Sequence, residues 1–160
     1  LTINQYFDTI VVVKIKVLTL SATRRPLLEE AASFYANRLN LQKSRYDLVI
    51  CTVVGLSKKE GALAKTATTD HYKITVGIDS RLDVLSMVLA LAHEMVHVKQ
   101  LARGQVKAVV ARNGKIQLYW LGKRIKARYH EQPWEIEAVN RESVLFAEFV
   151  KKAFAVSRKR

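Results

Sequence analysis

Acidic residues are scarce in this sequence. Fourteen Asp and Glu stand against 27 Lys and Arg, giving a formal net charge of +13 and a pI of about 10.0. From Met95 through His130 there is no Asp or Glu, while Lys99, Arg103, Lys107, Arg112, Lys115, Lys123, Arg124, Lys126 and Arg128 all fall there; Lys151, Lys152, Arg158, Lys159 and Arg160 add a basic C-terminus. This imbalance favours contact with polyanions, namely nucleic acid, an anionic membrane surface or an acidic protein, although no recognised nucleic-acid-binding motif accompanies it. The single cysteine, Cys51, excludes an intramolecular disulfide, and its place in an apolar strand-like stretch makes it a poor nucleophile. With two prolines and six glycines there is no linker-like tract and no repeat, so residues 1–160 read as one domain, and 49% hydrophobic content is enough for a core. Long apolar runs are missing as well. Val11 to Leu20 is short and interrupted by Lys14 and Lys16, which fits neither a membrane span nor a secretory core; a soluble, cytoplasmic protein is expected.

Against this background one pentapeptide carries chemistry: His93-Glu94-Met95-Val96-His97. On an α-helix, residues four apart lie on one face, so both imidazoles can reach a single metal ion with Glu94 beside them. Two histidines so spaced, with a carboxylate after the first, form the HExxH zinc-hydrolase signature. The surroundings favour a helix. Val84 to Ala92 contains no Gly or Pro, and the stretch ends near Gly104 with Lys99 and Arg103 in its last turns. Ser80-Arg81-Leu82-Asp83 is expected to open it as a capping box.

A catalytic zinc takes three protein ligands and leaves one position open. The third is sought in Tyr129 to Ala138, where Pro133 fits the first position of a second helix. Glu135, Ala138, Glu142, Leu145 and Phe149 follow a three-four alternation and share the stripe facing the core, which favours Glu135. Glu137 falls with Arg141, Val144 and Glu148 on a face expected to meet solvent, and is held in reserve. His130 would complete a three-histidine site, but in a basic loop it reads as a surface residue. Tyr129 and His130 are also the nearest polar candidates for stabilising an oxyanion.

HEMVH on one helix followed by PWEIEA on another resembles the glutamate-type zincin metallopeptidases, particularly their minimal single-domain forms, over roughly residues 71–150. The resemblance implies an α+β zincin-like fold: a small mixed sheet, the HExxH helix, a β-hairpin and a C-terminal glutamate helix. It implies zinc as cofactor, held by His93, His97 and a Glu in an ExxA pattern, which Glu135-Ile136-Glu137-Ala138 matches. Glu94 would be the general base of peptide hydrolysis. Val139 stands where many members place Asp or Asn, so a common hydrogen-bonding partner of the site is missing. The family's substrate-pairing edge strand would correspond to residues 72–78, for which an internal strand is the alternative. The first motif also resembles SprT-like DNA-associated proteases, whose third ligand is His.

The rest reads as scaffold. Leu1 to Thr9 is expected to be a flexible lead, Ile10 to Val17 a strand, Thr23 to Leu41 a helix, Tyr46 to Val54 a strand, Gly55 to Asp70 a loop in which Ala62 to Ala64 could hold a helical turn, and Tyr72 to Ile78 a strand. Val106 to Arg112 and Lys115 to Trp120 flank Asn113-Gly114, which predicts a hairpin with a two-residue type I′ turn and its aromatic side chains packed on the core. Three functions are compatible with the sequence: a zinc peptidase acting on a peptide or protein, a nucleic-acid-associated protease with the same site, or a non-enzymatic basic binding module.

Overall fold

The computed structural model describes residues 13–157. The expected lead at residues 1–9, the first residues of the expected opening strand and the basic residues 158–160 lie outside that range. The fold is α+β. A four-stranded sheet has the order β1-β2-β4-β3, built from β1 (Ile15–Leu18), β2 (Asp47–Val53), β3 (Ala64–Asp70) and β4 (Lys73–Asp79). β1, β2 and β4 are parallel, and β3 runs antiparallel to β4 on the outer edge. α1 (Arg24–Arg38) crosses from β1 to β2. α3 (Val84–Ala102) follows β4, and α4 (Pro133–Ser157) packs on α3 and α1. Between α3 and α4 stands a second sheet of antiparallel strands, β5 (Val106–Val110), β6 (Ile116–Trp120) and β7 (Lys123–Ile125). No helix among the described residues is long and apolar enough to cross a membrane.

α3 occupies the centre because its sequence is apolar almost all round, so it buries contacts against the sheet on one side and α4 on the other. Met87, Val88, Leu91, Ala92, Met95, Val96 and Val98 are all buried in one core with Ile50, Ile74, Val76 and Ile78 of the sheet. Each such large aliphatic contributes about 1.5–3 kcal/mol by leaving water. Phe34, Tyr35 and Phe149 pack edge-to-face or tilted at centroid distances of 5.6 to 5.8 Å and tie α1 to α4, while the Tyr35 hydroxyl donates to the Val88 carbonyl of α3. Movement of α4 relative to α3 is therefore opposed on both flanks.

Several sequence expectations change at the level of local chemistry. α3 starts at Val84, and its N-cap is Asp83, whose carboxylate accepts from the Ser86 N–H at 3.0 Å. Ser80 is not the cap: its N–H continues the sheet by donating to Val53, and residues 79–82 form the turn that follows β4. That turn is held by buried Asp79, which accepts from the Ser57 hydroxyl, the Ser57 N–H and the Arg81 N–H; these bonds depress its pKa to about 2. α1 stops at Arg38 instead of Leu41 because Asn40 adopts a left-handed conformation (φ 55°) and Leu41 N–H turns back to Ala36.

The region from Gly55 to Asp70, expected to be a loop, contains the short helix α2 (Leu56–Glu60) and the whole of β3. β3 carries Ala, Lys and Thr with no bulky aliphatic residue. Its strand state comes from pairing with β4, which its own pattern does not announce. β4 consequently lies between β2 and β3, so of the two readings of residues 72–78 the internal strand is the one found, and the edge belongs to β3.

The expected hairpin is present, but its turn differs. Gly114 N–H bonds the Ala111 carbonyl and Ala111 N–H bonds that of Lys115, making a three-residue loop with only Gly114 left-handed (φ 75°). Asn113 spends its side chain accepting from the Lys115 N–H, which suits a right-handed Asn backbone. The turn with two positive φ values is Leu121-Gly122 (47° and 82°), which leads into β7, an unexpected strand. Trp120 packs near Trp134 with centroids 6.3 Å apart, seating this sheet over the start of α4, whereas Val110 and Ile116 at its tip are exposed.

Candidate metal centre

His93 and His97 occupy successive turns of α3 and present Nε2 atoms 3.1 Å apart. Glu135, in the first turn of α4, aims its carboxylate between them, with Oε2 3.5 Å from His93 Nε2 and Oε1 3.4 Å from His97 Nε2. These are the three residues favoured from the sequence, and their ligand atoms all lie within 4.8 Å of one another. Pro133 makes the first residue of α4 a natural helix start, which places Glu135 in the opening turn. Ligands 2.0–2.1 Å from a tetrahedral zinc are separated by about 3.3–3.4 Å, so the spacing and the two-imidazole, one-carboxylate donor set both fit zinc.

The other nitrogen of each ring is also engaged. His93 Nδ1 lies 2.6 Å from Glu142 Oε2, and His97 Nδ1 lies 2.8 Å from Gln100 Oε1. Acceptors at Nδ1 hold a proton there, so that Nε2 is the nitrogen left to offer its lone pair to a metal once the ring is neutral. Burial alone lowers the basicity of both rings, but hydrogen bonds donated by each to Glu135, with Glu142 accepting from His93 and Gln100 from His97, outweigh it. His93 rises to about 9 and His97 rises also. Glu135 moves the opposite way, to about 2: burial raises it, and bonds to the two imidazoles overcome that.

Glu94 stands beside this cluster without joining it. It is 6% exposed, and burial pushes its carboxyl upward, opposed by the Thr66 hydroxyl, which donates to Oε2 at 2.5 Å. Thr66 belongs to β3, so the edge strand runs past the carboxylate. A cavity of about 300 Å³ lined by Thr66, His97, Trp134 and Glu135 opens on one side, and one of about 540 Å³ lined by Leu63, Leu89, Ala90 and His93 on the other. Glu94 and Tyr129 border both. Tyr129, on a 3₁₀ turn at Tyr129–Glu131, is exposed over most of its surface, but desolvation of its hydroxyl at the site and the nearby charge of Glu135 raise its pKa to about 12, so it keeps its proton.

The alternatives fall elsewhere. His130 is an exposed side chain 3.9 Å from Glu131. Glu137 does not reach the histidines and is only partly exposed. Its carboxylate pairs with the Nζ of buried Lys99 and accepts from Gln100 and Arg141, because Lys99 on α3 needs a counter-charge. The expected solvent face of α4 is thus exposed at Arg141 and Val144 and partly exposed at Glu137 and Glu148, with Glu137 turned to a counter-charge on α3. Val139 is exposed, and the carboxylate that meets His93 Nδ1 is that of Glu142, one turn further on. Three residues of the site went unread in the sequence. Glu142 lies on the core-facing stripe seven residues after Glu135, but nothing in the sequence marks it as the partner of His93. Gln100, three after His97, had a readable helical spacing. Thr66 had no signal, because β3 had none. No family model, no curated protein and no solved structure matches this chain.

Proposed function

We propose that this chain is a zinc-dependent peptidase, with His93, His97 and Glu135 as ligands and Glu94 as general base. The observation that carries the reading is the convergence of three donor atoms at tetrahedral spacing with a buried, proton-hungry carboxylate beside them. Zinc bound there supplies Lewis acidity, bringing the pKa of a water towards neutrality and polarising a carbonyl oxygen. Glu94 takes the proton from the attacking water as its oxygen bonds the carbonyl carbon, then passes it to the amide nitrogen as the C–N bond breaks. Thr66 fixes the rotamer of Glu94 by donating to the oxygen it holds. Tyr129, protonated at neutral pH, offers a hydroxyl to the developing oxyanion.

The substrate reading follows from the edge. Among the described residues β3 pairs only with β4, and the two cavities adjoin its first residues and the segment leading into it, which suits an extended peptide added as a further strand. The test is metal content and turnover together. Purified protein is expected to carry about one zinc per chain, lost in His97→Ala, and Glu94→Gln is expected to keep the zinc while losing roughly 10²–10⁴-fold in peptide hydrolysis. Zinc-free protein, or full activity in Glu94→Gln, would refute the reading.

A second reading concerns the partner that brings substrate. Lys107, Arg112, Lys115, Lys123, Arg124 and Lys126 on and around the small sheet are all exposed, and none takes part in an ion pair among the described residues. Lys107, Tyr119 and Arg124 stand in register across its three strands. We propose nucleic acid as the polyanion for this face. Binding of a single-stranded oligonucleotide should weaken steeply with salt and in Lys107→Gln/Arg124→Gln; salt-independent binding, or none, would remove it.

A further inference from the structure

The proposed centre needs the Nε2 lone pair of His97 to face inward, and the proton that decides this sits across the ring, where Nδ1 meets Gln100 Oε1. A glutamine amide turned over would present its NH₂ group instead and select the opposite tautomer. Here the amide has only one satisfied orientation. Its Nε2 lies 2.9 Å from the Trp134 carbonyl and 3.0 Å from Glu137 Oε2, and both can only accept. Gln100 is fully buried, so no solvent would repay a reversed amide.

Glu137 is itself anchored. The ammonium of Lys99, a residue 2% exposed, pairs with its other oxygen, and Arg141 reaches that oxygen at 3.4 Å. A buried pair of this kind adds little net stability, but it fixes where its members point. Trp134 directly precedes Glu135, so the bond from Gln100 to its carbonyl also registers the first turn of α4 against α3.

We infer that Gln100, its amide clamped by the Lys99–Glu137 pair, is a positioning residue that holds His97 as the Nδ1–H tautomer and aligns the Glu135 turn with it. The role rests on reading the site as a metal centre, but the tautomer can be measured without metal.

In ¹⁵N-histidine-labelled, metal-free protein, at a pH raised until the ¹⁵N shifts themselves report a neutral His97 ring, long-range ¹H–¹⁵N spectra are expected to show His97 in the Nδ1–H form. Gln100→Leu should move it towards the Nε2–H form that a free imidazole favours. Lys99→Met/Glu137→Leu, which replaces the buried pair by apolar groups of similar volume, should give a partial shift and serves if Gln100→Leu fails to fold by thermal melt. At neutral pH, chelator competition should show zinc held roughly ten-fold or more weakly by Gln100→Leu. Wild-type His97 in the Nε2–H form, or variants with an unmoved tautomer, would overturn the inference. Wild-type protein that takes up no zinc while His97 stays Nδ1–H would instead defeat the metal reading and leave the positioning role standing.

Discussion

Replacing Glu142 by leucine removes the acceptor 2.6 Å from His93 Nδ1 while keeping a side chain of similar reach on α4. Losing such a partner of a metal-bound imidazole weakens metal affinity by roughly 10–100-fold, or about 1.4–2.8 kcal/mol. The Glu142 side chain is 27% exposed, so water can approach the orphaned Nδ1–H and screen the lost charge. The expected loss therefore lies near the lower end, about ten-fold. Glu142→Gln keeps an oxygen that can accept from the ring but gives up the charge, and should recover part of the affinity. Competition against a chromophoric zinc chelator measures both variants, with zinc per chain at saturation unchanged. Wild-type affinity in Glu142→Leu would refute the assignment. A loss beyond roughly 10³-fold would mean that Glu142 is itself a ligand.

Tyr129→Phe should lower kcat by roughly 10²-fold with KM and zinc content little changed, if its hydroxyl serves the oxyanion; an unchanged kcat would refute that role. Asp79 has its folded pKa depressed to about 2 from 3.8, so its stabilising contribution is present above the unfolded value and is lost as pH falls through about 2. Asp79→Asn should therefore lower the melting temperature at neutral pH, with the difference from wild type shrinking in strong acid; a gap constant with pH would refute the linkage. Zinc binding must displace the proton that His93 holds up to about pH 9 in the metal-free state. Apparent zinc affinity should accordingly rise with pH until about 9, and isothermal titration in buffers of different ionisation enthalpy should show proton release; pH-independent affinity would count against these ligands.

α3 was legible because its Gly- and Pro-free apolar run has a single compatible element, and helical spacing then fixes which side chains share a face. The same arithmetic on α4 separated Glu135 from Glu137 correctly as to which one meets the histidines. It erred on the surroundings of Glu137, because a polar face reads as wet unless the partner is known, and the partner, Lys99, lies on another helix. The edge of the sheet was illegible for a related reason. Edge position belongs to the arrangement of strands, and β3 with its threonines gives up the apolar alternation that marks a strand, since it packs little on its outer side. In the hairpin the Asn-Gly pair located the turn, but the Asn113 side chain chose its type.

Six polar or charged residues are buried among the described residues: Thr19, Asp79, Glu94, Lys99, Gln100 and Glu135. Asp79 is satisfied by the turn it organises, and Thr19 lies at a strand end, where its hydroxyl bonds Thr52 and Ser21. The remaining four gather at one place, where α3 meets the start of α4. A folding core gains nothing from an acid and a base there, since apolar residues of the same volume would serve it as well or better. Local departures from the rules of a good core are expected where a site must hold charge in fixed directions. Glu135 meets both imidazoles and Gln100 meets one, Lys99 is joined to them through Glu137 and Gln100, and Glu94 lies within reach of their charge. What the core forgoes in apolar packing, it returns as orientation: two rings, one acid and one base held on rigid helices before any metal arrives.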